Sequence, residues 1–570
     1  MGRDGLHQHE TDVRPTGETE RNAAPCGFMY RVQDDETAEP HARRLNTGEA
    51  VNRGVAVARH DSLTRHATDC ALRSRTFPMA VRRHAPQPNT PPRVRVPDDA
   101  PTTVERQMDG LQLPTMNVSP PGPMARAWVE RLARVECPAI TARRHERAKD
   151  GGRDPIVWAE ARGSNVRDVD GNIYVDLSSA FAVAGVGHAH PRVVEAARTQ
   201  SERLIHAMGD LFPSREKILL GEKLAALTPG DLQHSILGMS GSDAVEAAIK
   251  TAMIATGRSR VLAFHGGYHG MSLGALGVSG YRDAFRAPFR GMAGAQELRL
   301  PYATCSACPL GHTYPSCELA CMSFVERVLT GDAFGSEDIA AVIVEPIQGR
   351  AGDIVPPLGW LPRLREVTEQ LGICLIFDEI YTGFGRTGAW FACEHEGVVP
   401  DLLVVGKGMG GGFPISAAIG RASVMETWEA SKGEAIHTST FLGNPLGCAM
   451  AIAAIEAMEE EDLVARSRDL GTRAKARLTD GLAECARVAE VRGRGLMLGV
   501  ALLDTKGRPW GGGGVHAMHA MLERGFLVSP GGVAGDVVSL APPFVISEEQ
   551  LDAGVDALVA WVRSLPGGGT

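Results

Sequence analysis

Between residues 235 and 405, short apolar runs alternate repeatedly with helix-patterned segments, and few folds accept that pattern. The runs 235–238, 261–264, 340–344, 373–377 and 402–405 lack polar alternation, as strands do when both faces are covered. Helical stretches between them, such as the alanine-rich segment after Ser242 and residues 361–371, turn the runs into βαβ units. The implied architecture is α/β with a mostly parallel sheet. Ligands in such sheets bind beyond the carboxyl ends of the strands.

Two of those ends carry chemistry. Leu375-Ile376-Phe377 runs into Asp378-Glu379 and then into the glycine-punctuated turn 382–388. The run 402–405 ends at Gly406-Lys407 and opens onto Gly408-Met409-Gly410-Gly411-Gly412. An acid and a lysine therefore stand at the ends of two neighbouring strands. One reading of Lys407 is a solvated strand-end side chain, because lysines are almost never fully buried unless paired. The other is a Schiff-base lysine holding pyridoxal phosphate, with Asp378 as partner of the ring nitrogen.

The other turns decide between these. Met239-Ser240-Gly241-Ser242 joins a strand to a helix, and free N–H groups there, with two hydroxyls, suit a phosphate. The plainer reading is an N-cap by Ser242. No Gly-Lys-Ser/Thr follows, so this is not a nucleotide P-loop. The next run ends in His265-Gly266-Gly267-Tyr268-His269-Gly270, whose glycines argue against a helical pair of metal-binding histidines. Tyr268 either lies flat on a planar cofactor or packs against its own loop. A third run ends in Glu345-Pro346-Ile347-Gln348-Gly349-Arg350. His188 and His190, beside Pro191 and without a cysteine or acid cluster, read as loop-ordering residues. Cys305, Cys308, Cys317 and Cys321 form one cluster, and their short central loop favours a disulfide or plain thiols over zinc or an iron–sulfur cluster. Gly493, Gly495 and Gly499 imitate a nucleotide loop at the wrong spacing.

At 570 residues the chain has room for two or three domains, and 44% apolar residues supply a core. A net charge of −9 is mild for this length and gives no reason to expect nucleic acid or an acidic membrane as partner. No apolar run reaches membrane-spanning length, and 11 cysteines without a pairing framework suit a reducing compartment, so a cytoplasmic enzyme is expected. Residues 1–118 are rich in Arg, His, Pro, Thr and Asp without sustained periodicity, and read as a disordered extension. The acids Asp4, Glu10, Asp12, Glu18 and Glu20 speak against a transit peptide. A regulatory tail, or a translation start at Met108, Met116 or Met124, stays open.

Together these motifs, from about residue 124 to 565, resemble the class III aminotransferases, a branch of the fold type I pyridoxal-phosphate enzymes. The most specific pieces are Asp378-Glu379-Ile380 with residues 382–388, Gly406-Lys407-Gly408, and Ser439-Thr440-Phe441 with Gly443-Asn444-Pro445. The resemblance implies a large cofactor domain over 186–445 with a mostly parallel, seven-stranded type of sheet. It also implies a smaller α+β domain from 119–185 and 446–566, preceded by the 1–118 extension. Its cofactor would be pyridoxal 5′-phosphate. Lys407 would bind it covalently and move the substrate proton, and Asp378 would hold its ring nitrogen protonated. Tyr268 would stack on the ring, Gly241 and Ser242 would bind the phosphate, and Glu345 and Gln348 would line the substrate side. Thr440 would reach the phosphate of a partner subunit, which implies a homodimer with shared sites and no metal.

Three departures from the family pattern bear on substrate. Tyr381 stands where many members have Gln near the cofactor's ring hydroxyl, and Met271 where aminobutyrate-type enzymes often carry a carboxylate-binding Arg. Arg350 stands where many ω-amino-acid enzymes have Glu, and Ser539 where they have the pairing Arg. Arg350 is thus the candidate carboxylate clamp. The expected activity is ping-pong amino transfer from an amine or ω-amino acid, such as 4-aminobutyrate, ornithine or a diamino acid, to an α-keto acid. An amino-acid racemase or decarboxylase on the same fold is the alternative. A scaffold that has lost activity is a further one, which intact Lys407 and Asp378 oppose.

Overall fold

The structure is a computed structural model, and it describes residues 108–141, 155–291, 297–331, 335–430 and 432–567. The apolar runs build one seven-stranded sheet. In spatial order its strands are Leu232–Gly238, Ser416–Arg421, Leu402–Val405, Cys374–Asp378, Ile339–Val344, Arg260–Phe264 and Glu297–Leu300. Ser416–Arg421 runs against both of its neighbours, and the remaining pairings are parallel. The sheet is thus α/β and mostly parallel, as the alternation requires.

Three central strands are buried along their whole length, which explains why they read as unbroken apolar runs. Successive side chains leave on opposite faces. Ala341, Ile343, Ile376 and Val404 meet the buried side of the helix Gly241–Thr256. Val342, Val344, Leu375, Phe377, Leu403 and Val405 join the larger core with Phe264 and Trp360 on the other face. Each fully buried large apolar side chain contributes about 1.5–3 kcal/mol relative to exposure. A charge at Phe377 or Leu403 would therefore break the layer that aligns the strand ends.

That alignment is the functional consequence of the fold. Val344 pairs with Phe377, and Asp378 pairs with Val404. Glu345, Asp378 and Lys407 consequently leave three adjacent strands at one edge. The paired second acid is structural: buried Glu379 accepts from Ala392 N at 2.7 Å, Cys393 N at 2.8 Å and Thr382 Oγ1 at 2.7 Å.

Two four-stranded sheets form the smaller region. One joins Trp158–Arg162, Asn165–Asp168 and Ile173–Asp176 to Phe526–Leu527 of the far end of the chain, and the last pairing is parallel. The other has the order Val488–Arg494, Met497–Leu502, Val537–Leu540, Ser529–Gly531. Buried Arg386 ties the turn after Asp378 to this region, donating to Leu496 O at 2.9 Å and Pro542 O at 2.7 Å while lying 4.6 Å over the Phe544 ring.

Of the expected 1–118 extension, residues 1–107 lie outside the described residues. Residues 108–118 correct that expectation, because they are ordered. Thr115 exchanges backbone hydrogen bonds of 2.9 and 2.8 Å with Ile173, and the Asn165 and Asn172 side chains hold Gln112 and Asn117. Asparagine side chains here do what strand periodicity would otherwise signal, so the segment reads as coil. No helix among the described residues is long and apolar enough to cross a membrane.

Candidate active site

A cavity of about 530 Å³ opens over the strand ends. Lys407, Asp378, Tyr268, Tyr381, Glu345 and Arg350 line it, with Gly241 and Ser242 at the helix end. Of the expected site residues, the structure brings all but Gln348 and Thr440 together here.

Lys407 follows Gly406 at the end of its strand and has a left-handed backbone, φ 40°. For a residue with a side-chain Cβ this costs about 1–2 kcal/mol, so its surroundings must hold it there. Its Nζ lies 4.6 Å from the centre of the Tyr381 ring. Burial lowers its pKa to about 8; Asp378 and Glu345 pull it up and Arg350 presses it further down. An amine at that value is about one-tenth neutral at pH 7 and half neutral near pH 8, far more than an unperturbed lysine, and the neutral form is the nucleophile. Lys407 stands half-buried in the cavity wall rather than free in solvent.

Asp378 is buried, with Oδ1 accepting from Ile380 N at 3.1 Å and Oδ2 lying 2.7 Å from His269 Nδ1. His269 is itself buried, and its backbone N–H donates to Ser279 Oγ at 3.0 Å. The sequence reading excluded His269 as a metal ligand but missed this role. Its position one residue after Tyr268 in a glycine turn was the available signal.

Glu345 organises the opposite wall. Its two oxygens accept from Tyr268 N at 2.8 Å and Gly349 N at 2.9 Å, which fixes both loops. Burial raises its pKa to about 7, and nearby Asp378 adds to the rise. The Arg350 guanidinium lies 5.1 Å over the Tyr268 ring and 5.3 Å over that of Tyr281. Among the described residues no carboxylate is within ion-pairing distance of it.

At the helix end the expected cap is shifted. Ser240, not Ser242, caps the helix Gly241–Thr256: its hydroxyl accepts from Asp243 N at 3.2 Å, and Asp243 accepts from Ser240 N at 3.0 Å. Ser242 is thereby left facing the cavity, where its hydroxyl accepts from Met271 N at 3.1 Å. Gly270 makes this approach possible: at φ 130°, a Cβ there would lie 2.1 Å from Ser242 Oγ.

Gln348 is buried beneath its loop, where its amide donates to His265 O at 2.9 Å and it does not line the cavity. Thr440 is exposed on its loop and lies outside this chain's cavity. Phe181, which sequence reading passed over, reaches the cavity on residues 179–182, all with positive φ. His188 and His190 order their loop as expected, through Asp176 at 2.8 Å and Glu461 at 2.9 Å. Cys305, Cys308, Cys317 and Cys321 are free thiols around a separate small pocket. Among the described residues no group of three or more His, Cys, Asp or Glu is placed to hold a metal ion.

The residues fit pyridoxal phosphate. A half-buried amine with lowered pKa faces the cavity, a buried carboxylate ends the adjacent strand, and a helix N-terminus with the Ser242 hydroxyl forms the anion corner. Fold and site together define a fold type I pyridoxal-phosphate enzyme. A family model for class-III aminotransferases matches residues 148–562, and the chain belongs to that family. It is an aminotransferase that uses pyridoxal 5′-phosphate.

The leucine/methionine racemase of Thermococcus litoralis is 38% identical, over 71% of this chain and 90% of its own length. The acetylornithine aminotransferase of Methanosarcina mazei is also 38% identical, over 71% of this chain and 92% of its own. Among solved structures, an (S)-enantioselective omega-transaminase from Thermomicrobium roseum matches with a TM-score of 0.70 at 28% identity, over 76% of this chain and 97% of that one.

Proposed function

We propose that this enzyme moves an amino group from an amine or ω-amino acid, of the 4-aminobutyrate, ornithine or diamino-acid kind, to an α-keto acid in two half-reactions. The observation that carries this reading is the half-buried, low-pKa Lys407 facing the cavity beside Asp378. Likeness to an acetylornithine aminotransferase supports the donor class.

When bound, pyridoxal phosphate supplies a sink for the electrons left on the substrate carbon. The chain's own residues do the rest. Lys407 would hold the cofactor covalently, and its amine would move the proton at the substrate carbon. Asp378, steadied by His269, holds the proton on the ring nitrogen. Gly241 and Ser242 hold the phosphate, Tyr268 offers its ring face, and Tyr381 serves the ring-hydroxyl side. Glu345 fixes the substrate wall and Arg350 binds the substrate carboxylate. Gln348 acts from below, by holding the loop of His265.

The same reading makes the enzyme a cytoplasmic homodimer in which Thr440 completes the phosphate site of a second copy. Exposed Ile205, Met208, Leu211, Phe212, Ile436 and Phe441, in the chain segments that meet around this loop, support such a contact. The domain division at about 118, 185 and 445 belongs to the same proposal.

The test is the absorbance of the holoenzyme before and after single amino donors are added without keto acid. Conversion of the cofactor to its amine form, without carbon dioxide release, supports amino transfer and ranks the donors. An unchanged cofactor spectrum with the product found as the enantiomer would establish racemisation. That second reading is favoured by the likeness to a racemase and by Ser539, which leaves Arg350 as the cavity's guanidinium.

A further inference from the structure

Among the described residues that line the cavity, the lysine and arginine side chains are Lys407 and Arg350, and the carboxylates are Asp378 and Glu345. The cofactor would engage Lys407 and Asp378, and His269 is paired with Asp378. Arg350 is then the fixed positive charge left for a substrate, and its planar fork suits a single carboxylate. Its place is set by the Tyr268 and Tyr281 rings beneath it and by its own backbone O, which accepts from Gly532 N at 3.1 Å.

Other guanidiniums pack behind the walls and are engaged there. Arg282 donates to Val533 O at 2.9 Å and to Gly532 O at 3.1 Å. Arg492 donates to Gly352 O at 2.6 Å and to Glu490 Oε2 at 3.1 Å. Arg386 holds the carbonyls of Leu496 and Pro542. None of these three lines the cavity. The loop 436–444, which the dimer proposed above would bring to a second copy's site, contains no lysine or arginine.

The polar wall beside Arg350 is neutral in front and acidic behind. Ser529 and Ser539 stand opposite each other on paired strands, and both line the cavity. A serine hydroxyl has one proton to donate, and that of Ser539 goes to Oδ2 of Asp353. Asp353 is fully buried, and its Oδ1 has no hydrogen-bond partner. Gly499 pairs with Ser539 from the other neighbouring strand, and a Cβ there would lie 3.0 Å from Asp353 Oδ2. Room for this acid is the structural reason for that glycine, which belongs to the triplet that imitates a nucleotide loop. Elsewhere the walls offer apolar surface: Phe181 and Met271 line the cavity yet are 66% and 45% exposed.

We propose that the site takes substrates with one carboxylate, so that the acceptor is a monocarboxylic α-keto acid with an uncharged side chain and dicarboxylic keto acids are turned away by charge. The single carboxylate sits on Arg350. A second one would meet Ser539, whose proton is committed, with Asp353 and Glu345 as like charges nearby. Leaving an ionised group unpaired in this way lowers affinity by about tenfold or more. An uncharged side chain instead covers Phe181 and Met271, which removes their surface from water. The donors proposed above each carry at most one carboxylate, so both half-reactions can use the same guanidinium in turn. This inference rests on the aminotransferase reading for the ligand's role as acceptor; the charge preference belongs to the cavity itself.

The test titrates the full-length holoenzyme with three unreactive acids of equal chain length, pentanoate, glutarate and the glutarate monoamide glutaramate, at about pH 8. Burial raises the pKa of Asp353 and of Glu345 to about 7, so both are mostly ionised there. Calorimetry gives each Kd. Pentanoate and glutaramate are each expected to bind at least about tenfold more tightly than glutarate, and a smaller ratio against either would overturn the proposal. Glutaramate separates charge from mere polarity, because it keeps the shape of glutarate without the second charge. Asp353→Asn should improve glutarate by about threefold or more relative to glutaramate, and equal shifts for the two would overturn the part given to Asp353. Single-turnover return of the cofactor from its amine form then tests the acceptor directly. 2-Oxopentanoate should react at least about tenfold faster than 2-oxoglutarate, and a smaller ratio would overturn the acceptor class. If neither keto acid reacts while the binding order holds, the amino-transfer reading fails and the single-carboxylate site stands.

Discussion

Replacing Arg350 by alanine separates two effects of one guanidinium. It lies over the Tyr268 and Tyr281 rings, lines the cavity, and among the described residues has no carboxylate partner. A substrate carboxylate reaching it makes charge-assisted hydrogen bonds, each of which contributes about 1.5–3 kcal/mol. Arg350→Ala should therefore lower kcat/KM for an ω-amino acid by roughly 10- to 150-fold. An alkylamine of the same length, without the carboxylate, should change within about twofold. The second effect is on Lys407. Arg350 is a like charge that lowers the lysine's pKa below what burial alone would give, so its removal lets that pKa rise above about 8. The free-amine fraction then appears at higher pH, and the rising limb of the half-reaction rate moves alkaline for both substrates. Arg350→Lys keeps the charge but not the planar fork, and should hold the limb in place while losing part of the carboxylate selectivity. Stopped-flow absorbance of the holoenzyme with each donor across pH reads both effects. Equal losses for acid and amine, with an unmoved limb, would refute the reasoning.

Lys407→Ala should remove the absorbance of the covalently held cofactor while leaving circular dichroism intact; an unchanged spectrum would sink the lysine assignment. His269→Ala leaves the buried Asp378 carboxylate with the Ile380 N–H as its remaining donor, and a hydrogen bond to a charged group is worth about 1.5–3 kcal/mol. A lower melting temperature and weaker cofactor binding are expected, and wild-type values for both would show that His269 is dispensable. Gly270→Ala forces a Cβ against Ser242 and strains a backbone at φ 130°, so the Kd for pyridoxal phosphate should rise, and inorganic phosphate should compete less well. An unaltered Kd would remove Ser242 from the phosphate site.

The sheet was legible because its central strands are covered on both faces and therefore read as apolar runs. The antiparallel strand Ser416–Arg421 escaped because its alanines and glycine lack β-branched bulk, although every one of residues 416–420 is buried. The short edge strand Glu297–Leu300 does alternate polar and apolar residues, but over only four positions, too few to stand out. Within the site, the placement of Lys407 and Asp378 at the cavity was legible because strand ends collect chemistry. Their supporting shell was not. His269 finds Asp378 across 109 positions, and Asp353 finds Ser539 across 186. Such pairings depend on register and loop closure, which local pattern does not encode. Gln348 failed for a related reason: a strand-end amide looks the same in sequence whether it faces the cavity or the loop beneath.

The charges around Lys407 also tie substrate choice to proton transfer. Burial lowers the lysine's pKa, two carboxylates pull it up, and Arg350 presses it down. A substrate carboxylate seated on Arg350 neutralises that last influence. The amine freed by the substrate then faces Asp378 and Glu345 without an opposing cation, and becomes a stronger base at the stage when it must accept a proton. An uncharged amine brings no such compensation. Part of the selectivity for carboxylate substrates should consequently appear in the rate of proton transfer rather than in binding. A deuterium at the substrate carbon distinguishes the two. If the argument holds, the isotope effect on the half-reaction differs between an ω-amino acid and its matching alkylamine; identical effects would confine Arg350 to binding.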